Sequence, residues 1–114
     1  MRSAATTLFL ALGLFTLNAT ACDLSPSEQM VNDAVQTNPQ NASAWNALGH
    51  VQYMKGCHAE AREALLRAVL LDPTQATAWR NLGLADLKLD LMEEAVAALT
   101  MWRTEKSANL AAAK

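Results

Sequence analysis

The chain has 114 residues, a formal net charge of −2 and 52% apolar residues. This excludes a chain too polar to bury a core and the strongly basic surface that nucleic acid requires. Only four Gly and three Pro are present; the remaining Ala- and Leu-rich composition favours helices over strands, so one small all-α domain is expected.

The first element is a leader. Met1 and Arg2 give a positive start, residues 8–17 are an apolar run (LFLALGLFTL), and Ala19, Thr20 and Ala21 fit a small-x-small cleavage pattern before Cys22. The run is shorter than the roughly 20 apolar residues that cross a bilayer easily. Residues 1–21 are therefore read as a signal helix, residues 22–25 as a tether, and the rest as exported. No charge falls in residues 3–22, which leaves an uncleaved signal anchor as an alternative.

Residues 26–37 are predicted to form a leading helix. Ser25 and Glu28 have the spacing of a capping box, and Pro26 suits the first helical position. Val31 and Ala34 are expected to face inward. Four further helices are predicted at about 42–55, 58–71, 76–89 and 91–105, and residues 106–114 are assigned as a tail that prolongs the last helix or frays. Asn41, Ala42 and Ser43 also spell a glycan acceptor, but Asn41 is better placed as the cap of the helix that follows.

The stretch NPQNASAWNALG at residues 38–49 returns as DPTQATAWRNLG at residues 72–83, and one constant offset relates the two. Pro39 answers to Pro73, Trp45 to Trp79, Leu48 to Leu82, Gly49 to Gly83, Ala61 to Ala95 and Leu65 to Leu99. Each type has a physical task. The indoles fill space between hairpins, the glycines admit a close partner helix, and Pro73 ends one helical pair and restricts Asp72 before it. W-x2-L-G followed by a small residue and a terminal Pro, with a period of roughly 34 residues, is the tetratricopeptide pattern. Over roughly residues 26–105 the chain resembles the tetratricopeptide repeat family. The resemblance implies a short α-solenoid of antiparallel helix pairs: half a repeat (26–37), then full repeats at 42–75 and 76–107.

In that family the first helix of each pair lines a concave groove that receives a peptide or helix. Carried over position by position, the groove comprises Ser43, Asn46, His50, Tyr53 and Met54 from the first repeat. The second repeat adds Thr77, Arg80, Asn81, Leu84, Leu87 and Lys88. Arg80, Asn46 and Asn81 are the polar contacts, and Tyr53, Met54, Leu84 and Leu87 the apolar anchors; Leu84 and Leu87 have packing between helices as their competing role. Of the Lys, Asn and Arg set by which some members grip a C-terminal carboxylate, only Asn81 has a counterpart here.

The second repeat departs from the first where Trp102 replaces Ala68 and Ser107 replaces Pro73. A Trp there suits a terminal helix that folds over the open end. Ala98, Met101 and Trp102 are assigned as a C-terminal interface, covered by a second copy in a homodimer, by a partner protein, or by residues 106–114.

Two fates are open for Cys22. Placed after ATA and an apolar run, it resembles a bacterial lipoprotein junction, which implies acylation and a membrane anchor, although Ala19 stands where Leu is usual. Without acylation, an oxidising compartment allows it to pair with Cys57. Cys57 and His58 are neighbours, but adjacency is not the geometry of a nucleophile and its base. With no metal-ligand spacing and no phosphate loop, no catalytic residue and no cofactor is assigned. The sequence thus predicts a non-catalytic adaptor for a protein or peptide partner, exported and lipid-tethered through Cys22 in an envelope, pilus or secretion assembly. The alternative is a soluble exported chaperone or assembly subunit that works through its last helix.

Overall fold

The computed structural model describes residues 22–113, so the leader at residues 1–21 lies outside the described residues. Among those described there are five helices and no strand: α1 (Gln29–Thr37), α2 (Ala42–Met54), α3 (His58–Leu71), α4 (Ala76–Lys88) and α5 (Met92–Ala112). α2 pairs with α3 and α4 with α5, α4 also packs on α3, and α1 lies against α2. This is a short α-solenoid of one leading helix and two antiparallel pairs.

Local chemistry sets the boundaries. Ser25 and Glu28 form the reciprocal capping box: the Glu28 amide donates to Ser25 Oγ at 3.3 Å and the Ser25 amide to Glu28 Oε2 at 2.8 Å. The helix starts at Gln29, later than expected, because residues 26–28 form the turn that this box closes. Asn41 caps α2 by accepting from the Ala44 amide at 3.2 Å. Both pairs turn by the same device. Gly56 (φ 87°) and Asp90 (φ 61°), at equivalent positions of the two repeats, adopt the left-handed conformation. The next amide then reaches back: Cys57 to the Gln52 carbonyl and Leu91 to the Asp86 carbonyl, each at 2.9 Å.

The two glycines do what the repeat demands. A β-carbon on Gly49 would stand 2.5 Å from Leu65 Cγ and 3.2 Å from the Ala61 carbonyl oxygen; on Gly83 it would stand 2.6 Å from Leu99 Cγ. The paired helices are thus closer there than any side chain allows, with Ala61 and Ala95 fully buried opposite. One core joins the two pairs through Leu65, Ala68, Val69, Ala78, Leu82, Ala85 and Ala98; a smaller one joins α1 to the first pair through Val35, Ala44, Leu48 and Ala64. The indoles add a polar tie. Trp45 Nε1 donates to the Pro39 carbonyl at 2.8 Å and Trp79 Nε1 to the Pro73 carbonyl at 2.7 Å, so each locks its helix to the turn before it.

Two expectations are corrected, and the tail takes the first of the two forms expected of it. Ala34 is exposed and Val35 carries the inward contact at 1% exposure; no helix among the described residues precedes α1 to cover the Ala34 side. The tail assigned at 106–114 is largely helix, because Ser107 cannot stop α5 as Pro73 stops α3. Near its end Asn109 Nδ2 donates to the Thr74 carbonyl at 3.2 Å. Finally, Cys22 is disulfide-bonded to Cys57, with Cα atoms 5.7 Å apart. One sulfur cannot carry a thioether and a disulfide together, so acylated Cys22 gives way to the second of its two fates. The 22–25 segment is then a clasp holding α1 on the α2–α3 turn.

Candidate functional site

α2 and α4 lie side by side and present one stripe each. A ladder of side chains joins them: Gln75 Nε2 donates to Ser43 Oγ (3.1 Å), Asn46 Nδ2 to Thr77 Oγ1 (3.1 Å), and Asn81 Nδ2 to Asn46 Oδ1 (3.0 Å). Asn81 is 9% exposed. The expected polar contacts Asn46 and Asn81 are therefore first of all each other's partners. They satisfy the floor of the groove rather than projecting from it.

What remains open above that floor is a mixed face. His50, Met54, Arg80, Leu87 and Lys88 are exposed, and Tyr53 and Leu84 are half-buried or deeper. Met54 (69%) and Leu87 (39%) offer apolar surface without a partner among the described residues. Tyr53 is held in place by His58, whose ring centroid is 5.1 Å away at a tilted angle of 56°. Arg80 and Lys88 are cations without an ion pair among the described residues; of the two acids nearest to Lys88 in sequence, Asp86 is buried and paired with Arg62, and Asp90 is exposed in the turn that follows. The face thus combines positive charge with adaptable apolar side chains.

Ion pairs between successive helices set the stacking. Arg62 Nε on α3 donates to Asp86 Oδ1 on α4 at 2.6 Å, with the Asp86 side chain 2% exposed. Lys55 Nζ, at the end of α2, meets Glu28 Oε2 at 3.0 Å, and Glu28 stands one repeat before Arg62. Backbone and hydroxyl donors of Ser25, with the Lys55 ammonium, hold the Glu28 carboxyl down to about 2. Neither Arg62 nor Asp86 stood out in the sequence. The signal available was an Asp inside an otherwise apolar helical stripe, which requires a buried partner.

The C-terminal interface is also redrawn. Ala98 is 3% exposed and belongs to the core, and Met101 is half-buried beside it. Trp102 is half-buried, with Lys106 Nζ 5.4 Å over its ring. It does not close the end, since Val96 on the neighbouring face is 63% exposed. No group of His, Cys, Asp or Glu suited to a metal ion occurs among the described residues, and no helix there is long and apolar enough to cross a membrane.

Residues 42–75 match the family model described as the tetratricopeptide repeat. A protein of Saccharomyces cerevisiae, "Essential for maintenance of the cell wall protein 1", is 36% identical over 69 residues, which is 60% of this chain and 8% of that protein. Among solved structures, the crystal structure of MamA aligns with a TM-score of 0.67 at 25% identity over 73% of this chain. The chain spans about half of that structure (48%) and a small fraction of the yeast protein. The chain is therefore an all-α solenoid whose residues 42–75 match the tetratricopeptide repeat and whose fold is similar to that of MamA over 73% of its length.

Proposed function

We propose that the chain is a non-catalytic adaptor that captures a segment of another protein on the α2–α4 face. The observation that carries this reading is the exposed set His50, Met54, Arg80 and Leu87, standing over a floor in which Asn46, Thr77 and Asn81 bond to one another. These floor groups are already partnered, so the projecting side chains decide what binds. The fitting partner is an extended or helical segment with an apolar anchor for Met54 and Leu87 and a carboxylate for Arg80. The repeat type and fold support protein binding in general; the carboxylate and the anchors are this face's own chemistry.

Export is part of the same proposal. The leader pattern at residues 1–21 supports it, and so does a disulfide clasp, which persists in an oxidising compartment. With Cys22 occupied, the adaptor works in an envelope, pilus or secretion assembly without a lipid on that residue. Fractionation tests this: wild type and Cys22→Ala should partition alike, whereas release from the membrane on losing Cys22 would restore the acylated form. For binding, the immobilised chain should capture its partner and Arg80→Glu should weaken capture without moving the melting temperature. Unfolding by Arg80→Glu would show instead that Arg80 is structural.

A further inference from the structure

The repeat offset shows which surface α5 leaves uncovered. On α3, Arg62 pairs with Asp86 of α4, and Leu65, Leu66 and Val69 belong to the core shared with α4; their counterparts on α5 are Val96, Leu99, Thr100 and Arg103. α3 lies between α2 and α4, but among the described residues α5 packs against α4 alone. Its receiving stripe is therefore open, with Val96, Thr100 and Arg103 exposed and Leu99 half-buried.

This stripe is not simply a seat for another repeat of the same kind. Relative to α3, polar and apolar positions are exchanged: Val96 replaces Arg62, and Arg103 replaces Val69. A helix bearing the Asp86 carboxylate would find no cation at Val96. The pattern is, however, complementary to itself. A helix received here must run antiparallel to α5, as α4 runs antiparallel to α3, and a two-fold axis beside α5 and perpendicular to it supplies such a helix from a second copy. With the axis between Leu99 and Thr100, Val96 of each copy meets the aliphatic stem of Arg103 of the other. Glu93 then meets Lys106, twice by symmetry. Glu93 and Lys106 are both exposed, and neither forms an ion pair among the described residues. Glu94 and Glu105, which would repel under the same pairing, lie on the opposite side of the helix.

We infer that α5 is a homodimerisation helix, pairing antiparallel with a second copy through Val96, Leu99 and Arg103 and through reciprocal Glu93–Lys106 ion pairs. The dimer leaves the α2 end of each groove free, so one assembly holds two binding faces.

Sedimentation of the purified, disulfide-bonded chain across a concentration series tests this. Wild type should pass from monomer to dimer and stop at two. Glu93→Lys alone, or Lys106→Glu alone, should weaken the dimer by about tenfold through two repulsive contacts. The double reversal should restore it to near the wild-type value. Both side chains are exposed, so the monomer should stay folded despite the loss of Glu93 from the first turn of α5 or of Lys106 from above Trp102, and Val96→Glu gives a second variant that separates the copies without unfolding them. A monomer that persists to about 100 μM, growth beyond two copies, or a dimer indifferent to Glu93→Lys would each overturn the proposal.

Discussion

Gly49→Ala probes the closest approach in the molecule. By helix propensity alone it should stabilise α2 by about 1 kcal/mol. The added methyl, however, would sit 2.5 Å from Leu65 Cγ and 2.8 Å from Leu65 Cδ2, and Leu65 is fully buried. The Leu65 branch point cannot swing aside as a side-chain tip would, and the Ala61 carbonyl oxygen at 3.2 Å blocks the other side. Overpacking of this kind costs about 1–3 kcal/mol. Set against the propensity gain, the net effect is a loss of between zero and about 2 kcal/mol, or up to roughly 16 °C in melting temperature for a domain of this size. Leu65→Ala alone should cost about 2–5 kcal/mol through its cavity. In the double variant the alanine methyl enters space that Leu65 vacated, so the loss should fall short of the sum of the single losses by about 1 kcal/mol or more. The assay is equilibrium urea unfolding of all four proteins. A Gly49→Ala protein more stable than wild type, with strictly additive losses in the double variant, would refute the claim that α2 and α3 meet at bare backbone.

Three further perturbations test the other joints. Arg62→Met leaves the buried Asp86 carboxylate without its cation and should destabilise the fold by about 3 kcal/mol by urea unfolding, with much of the loss recovered by adding Asp86→Leu. Glu28 has a folded pKa depressed to about 2 by Ser25 and Lys55, so its contribution is complete above its ordinary value near 4.5 and is lost as pH falls towards 2. Glu28→Gln should accordingly flatten the acid side of the plot of melting temperature against pH. The disulfide closes a sequence separation of 35 residues; chain entropy makes Cys22→Ser or reduction cost about 3–4 kcal/mol. Cys57→Ser should match it, whereas an unchanged melting point on reduction would mean that the clasp does not restrain the unfolded chain.

The fold was legible because one constant offset repeats both positions and residue types. Trp45, Gly49, Pro73 and their counterparts marked out the two pairs and most of their boundaries. The groove was legible only as a surface. Periodicity put Asn46 and Asn81 on the right stripe, but not that they would bond to each other, since that depends on how far α4 rotates against α2. The Arg62–Asp86 pair spans two helices and leaves no local spacing to read. For α5 the misassignment of Ala98 had a related cause. An alanine carries no hydrophobic signature strong enough to orient a weakly amphipathic helix, and only contact with α4 decides which side turns inward. Cys22 was ambiguous for a chemical reason, because acylation and pairing use the same atom and begin from the same residues.

The central claim is that a partner lies along α2 and α4 and not elsewhere on the solenoid. Site-specific photo-crosslinking in the producing cell reads this directly, with the reactive group placed in turn at His50, at Leu87 and at Leu70. Leu70 is 80% exposed, lies on α3 and is no part of the groove. His50 and Leu87 should yield the same heterologous adduct, lost on adding Arg80→Glu, and Leu70 should yield none. Adducts from Leu70 alone, or adducts from His50 and Leu87 that survive Arg80→Glu, would contradict it.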